Sequence, residues 1–167
     1  MVGVEYTEPS GDDIAHPTEE QVIASMRRDD DEYWGPYSPM GWLKCGNPPS
    51  RQLILIRHPS RGWYLEYGSD GPPVRRVVAI DVAGRARTWV EHWHEGQTSY
   101  FPAACFLPQS VAERAVSDFL AARDPSASGA WEPFRWRHHK RAEPPPDGLL
   151  QWLLRRRPVV ERAEPPA

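Results

Sequence analysis

Residues 51–101 read RQLILIRHPSRGWYLEYGSDGPPVRRVVAIDVAGRARTWVEHWHEGQTSYF, and this stretch decides the fold. Five strand-like runs, Gln52–His58, Trp63–Tyr67, Arg75–Asp81, Arg87–His94 and Thr98–Phe101, are parted by turn signals at 59–62, 69–73, 83–85 and 95–96. Leu53, Ile54, Leu55 and Ile56 are apolar at every position, the pattern of a central strand buried on both faces. Short links between consecutive runs predict antiparallel neighbours, because parallel pairing needs crossover segments that are absent here.

The flanks extend this sheet. Gly41–Cys45 is a candidate first strand, and Trp131–His138, with Phe134 and Trp136, a closing one. Between them, Pro108 opens a helix whose apolar stripe is Val111, Ala112, Ala115, Val116, Phe119 and Leu120, opposite Glu113, Arg114, Asp118 and Arg123. Upstream, Thr18 and Gln21 form a capping-box pair, and Val22, Ile23 and Met26 recur at helical spacing, which predicts a short helix. The expected fold is α+β: an antiparallel β-meander of five to seven strands, with the N-terminal helix and the long amphipathic helix packed on one face. Residues 1–16 are acidic and aperiodic and are expected to form a tail without fixed structure, residues 17–140 a single domain, and residues 141–167 a Pro- and Arg-rich extension with a short helix at Leu149–Leu154.

A chain of 167 residues is large enough to bury roughly two thirds of its unfolded surface in one core. Its first residues lack the apolar run of a secretory signal, and no stretch reaches the roughly 18 apolar residues of a membrane span, so a cytoplasmic protein without membrane contact is expected. Cys45 and Cys105 sit apart in apolar or strand-like runs and read as reduced, buried thiols.

Charge is divided between the ends. Residues 1–32 carry ten acids against Arg27 and Arg28, whereas residues 135–162 carry eight bases against three acids. The run Asp29, Asp30, Asp31, Glu32, followed by Tyr33 and Trp34, reads either as a solvated acidic segment or as a patch aimed at a basic partner.

Three constellations bear on chemistry. His92 and His94 share a strand face at metal-ligand spacing, but a third ligand would have to come from His58 or His138 by register, so no metal or other cofactor is expected. Cys105 with His92 or His94 forms a nucleophile and base pair in principle, yet its apolar neighbours Ala104 and Phe106 favour a structural thiol. Among the eight tryptophans, Trp89 and Trp93 share a face with Glu91, with Trp63 and Tyr67 expected across from them, while Trp34 and Trp42 are candidate interface anchors. Phosphate loops, nucleophile elbows and HExxH motifs are absent, which argues against an enzyme and against a small-molecule substrate. The basic patch Arg135–Arg141 is the candidate for nucleic-acid binding, but the chain is net −3 and acidic at its front, so direct nucleic-acid contact is not expected.

The order of Pro17-Thr18 with Gln21-Val22, the strand Gln52–Ile56, Tyr64-Leu65-Glu66-Tyr67, Tyr100-Phe101-Pro102, Leu107-Pro108 with Ala112, Phe119-Leu120 and Trp131–Trp136 resembles the deaminase-associated first family of immunity proteins from bacterial polymorphic toxin systems. The resemblance spans about residues 16–138 and rests on packing positions and turns. It implies a cytosolic α+β protein, without catalytic residues, that binds and blocks a cognate toxin domain, often a nucleic-acid deaminase. A toxin that grips nucleic acid presents a basic cleft, so the expected partner-binding residues are Asp29, Asp30, Asp31, Glu32, Trp34, Trp42, Glu66 and Glu91. The competing assignments are a metal-dependent enzyme using His92 and His94, and a nucleic-acid-binding or regulatory protein using residues 135–141.

Overall fold

The computed structural model describes residues 3–28, 33–34, 40–46, 50–70, 75–81, 88–94, 97–127, 129–133 and 159–161. The strands are β1 (Val4–Thr7), β2 (Asp13–Ala15), β3 (Gly41–Cys45), β4 (Arg51–His58), β5 (Gly62–Ser69), β6 (Arg75–Ala79), β7 (Thr88–His94), β8 (Gln97–Pro102), β9 (Phe106–Leu107), β10 (Trp131–Pro133) and β11 (Val159–Glu161). Two helices, α1 (Glu19–Met26) and α2 (Gln109–Leu120), complete the α+β architecture. The main sheet runs β10-β6-β5-β4-β3-β1-β2, with β9 on the lower half of β5, and every pairing in it is antiparallel.

Strand β4 is central, as its unbroken apolar run requires. Leu53 and Leu55 point to the helices while Ile56 points to the opposite layer, and all three are buried. The helix-side core joins Tyr6, Leu43, Leu53, Leu55, Trp63, Leu65, Tyr67 and Val77 of the sheet to Val22 and Met26 of α1 and to Ala112, Ala115, Val116 and Phe119 of α2. Helix α1 starts where the sequence places it: the Gln21 amide donates to Thr18 Oγ1 and the Thr18 amide to Gln21 Oε1. Asp118 departs from the expected polar face of α2, because it is buried and accepts from Arg123 Nε at 2.7 Å.

Two expectations need correction. The meander does not continue past β6: β7 and β8 leave the main sheet and form a separate hairpin, joined by β11, that covers its second face. That layer closes a second apolar cluster of Ile56, Tyr64, Val78, Val90, Phe101, Cys105 and Phe106. The physical reason lies in β4, β5 and β6, whose apolar residues alternate onto both faces and so demand a cover on each. The N-terminal segment is likewise no structureless tail, since β1 pairs with both β2 and β3. Tyr6 drives this, being fully buried with its hydroxyl 2.8 Å from Ser25 Oγ of α1.

Gly62, at the turn into β5, has φ +94°, and a Cβ there would overlap the Leu107 carbonyl oxygen of β9. Only glycine lets these backbones approach so closely. The expected helix at Leu149–Leu154 and the part of the closing strand beyond Pro133 lie outside the described residues. No described helix is long and apolar enough to cross a membrane.

Candidate partner-binding surface

The β7–β8 hairpin covers the sheet's second face where it is apolar, over β4, β5 and β6. Toward β3, β1 and β2 that face turns polar. Registers place Asp13, Thr7, Trp42 and Ile54 in one row across the strands, and Ala15, Glu5, Lys44, Gln52, Gly68 and Arg76 in the next. Alternation makes this happen: in β1, Tyr6 points into the core while Glu5 and Thr7 point the other way.

The surface is built by local chemistry. A turn in which the Glu8 amide donates to Asp12 O at 2.8 Å and the Gly11 amide to Glu8 O at 2.9 Å folds β2 back on β1. Lys44 Nζ stands 2.7 Å from Glu5 Oε1 and 4.6 Å from the centre of the Trp42 ring, so one ammonium bridges a carboxylate and an aromatic face. The half-buried Trp42 keeps its indole N–H away from solvent with no hydrogen-bond acceptor among the described residues, a cost of about 1–3 kcal/mol for an unmet donor. Around the same end of the sheet the chain carries Glu5, Glu8, Asp12 and Asp13, and then Glu19 and Glu20 at the start of α1.

The expected partner-binding residues distribute unevenly over this structure. Trp42 belongs to the polar face. Trp34 does not: it is 6% exposed, stacks edge-on against Trp63 at 4.8 Å and donates from Nε1 to Ser25 O at 2.8 Å. Its place among acids and turn formers hid a core residue. Tyr33 is buried beside it and donates to Glu8 Oε1 at 2.7 Å, and burial followed by that bond pushes its phenol pKa up.

Glu66 is also corrected. It is 6% exposed, ion-paired with Arg76 Nε, and accepts from the Tyr64 hydroxyl at 3.3 Å, so it offers no free charge to a partner. Glu91 is half-buried on β7, in the other layer. Asp29, Asp30, Asp31 and Glu32 lie outside the described residues; Arg28 and Tyr33, which flank them, are in contact, the guanidinium 3.8 Å from the ring centre.

The chemical alternatives find the following geometry. His58 is 4% exposed, edge-on to Phe106 at 5.3 Å, with Ser60 N 3.3 Å from Nδ1. Burial lowers its pKa. His92 pairs in register with Ser99 and His94 with Gln97, and the side chains of both, like His138 and the patch Arg135–Arg141, lie outside the described residues. Among the described residues no three His, Cys, Asp or Glu side chains converge as a metal site. Cys105 is 1% exposed in the second cluster, which does not suit a nucleophile, and Cys45 is half-buried; neither is in a disulfide. Trp63 is 1% exposed on the helix side of β5, donating to Gln109 Oε1 of α2, and so does not face Trp89 across a sheet.

Sequence reading missed Glu5, Asp13, Lys44, Gln52 and Arg76. The signal was present in the alternation Val4-Glu5-Tyr6-Thr7 followed by Pro9-Ser10-Gly11, a strand and turn signature outweighed by the segment's acidity. No protein-family model, no curated protein and no solved structure matches the chain.

Proposed function

We propose that this chain is an immunity protein that binds a cognate bacterial toxin domain of basic surface, of the nucleic-acid-deaminase kind, and blocks it in the cytoplasm. The observation that carries the reading is the ordered acidic end of the sheet. Asp12 and Asp13 are held on a folded hairpin whose β1 strand lies beside Trp42, a half-buried aromatic whose N–H has no acceptor among the described residues, while Glu5 is paired with Lys44 and Glu8 accepts from Tyr33. A rigid acidic rim speeds encounter with a basic cleft and repels the nucleic acid that the cleft would otherwise hold. An aromatic at its centre supplies the apolar anchor typical of tight interfaces. Asp29, Asp30, Asp31 and Glu32 add to the same charge in sequence. Trp34 and Glu66 take no part, because both are spent on the fold.

The test is co-expression with the C-terminal domain encoded by the adjacent reading frame. The expected result is restored growth and a one-to-one complex that survives purification. Toxicity that this chain does not relieve refutes the function. A folded variant with Asp12, Asp13 and Asp29–Glu32 changed to Lys is expected to lose rescue, and full rescue by it refutes the acidic surface alone.

A further inference from the structure

We draw no further inference here: the strongest candidate, the apolar groove of about 500 Å³ between the start of α2, the end of β6 and β10, lined by Ala79, Leu107, Val111 and Trp131, carries nothing, because nothing in the structure shows what covers it.

Discussion

Replacing Trp34 with Ala separates the two roles a tryptophan in an acidic, Pro-rich stretch of sequence can have. In the structure the indole is buried, edge-on to Trp63 at 4.8 Å and to Tyr33 at 5.6 Å, and bonded through Nε1 to Ser25 O. Burial of an aromatic of this size removes some 150–250 Å² from water, worth about 4–6 kcal/mol at roughly 25 cal/mol per Å². Measured Trp→Ala changes in cores run to about 3–5 kcal/mol, and the Ser25 carbonyl, which loses the indole donor but keeps the Arg28 amide at 3.3 Å, adds at most about 1 kcal/mol. A loss of about 4 kcal/mol is therefore expected. With a urea slope of about 2 kcal/mol/M, the midpoint falls by about 2 M, which equilibrium unfolding followed by far-UV circular dichroism resolves. Trp34→Phe keeps the ring contact and loses the hydrogen bond, so its cost is expected near 1–2 kcal/mol. A cost below about 1 kcal/mol for Trp34→Ala, with partner binding abolished, would refute the core assignment and return Trp34 to the interface.

Three further outcomes are expected. Gly62→Ala meets a positive φ and the Leu107 carbonyl at once and is expected to cost about 2–4 kcal/mol, whereas Gly11→Ala, at φ +93° with open space around it, costs about 1 kcal/mol; equal losses in thermal or urea unfolding would refute the close-approach argument. Thr18→Ala removes a capping box and is expected to cost about 1 kcal/mol, with exchange quickening first in the opening turn of α1. Burial lowers the pKa of His58 in the folded state, so the unfolded chain binds the proton more readily. Stability is then full above the ordinary histidine pKa of about 6.5 and falls as pH drops below it, down to the lowered folded value. His58→Gln is expected to flatten the stability profile between pH 7 and 5, and an unchanged slope refutes this. The lowered pKa values of Glu113, set first by the Arg27 hydrogen bond, and of Asp124, where bonds from Ser126 and Arg75 outweigh desolvation, act only at more acid pH.

The residues that read correctly are those whose periodicity has one cause. Leu53–Ile56 are apolar on both faces because two layers cover them, and the α2 stripe from Val111 to Leu120 is apolar because it faces the sheet. The departure of β7 and β8 into a second layer was not legible, since short turns fix antiparallel neighbours but do not say which edge a hairpin joins. The N-terminal strands were missed because net acidity outweighed one apolar side chain, Tyr6, whose partner Ser25 is distant in sequence. The same weighting concealed Trp34, and it made Glu66 look available when Arg76, across the ladder on β6, already neutralises it.

Strand β5 is forked: Trp63 and Tyr64 pair with β9, and Glu66 to Ser69 pair with β6. On the ribosome this order has a price. The β4–β5 hairpin emerges with Trp63 and Tyr64 lacking an edge neighbour, and Phe106 and Leu107 follow some forty residues later. At about 5–20 residues per second that gap lasts several seconds. For that interval an aromatic strand edge is exposed in the nascent chain, and the arrival of β9 seals it just before α2 lays its apolar stripe on the face that Trp63 and Leu107 share.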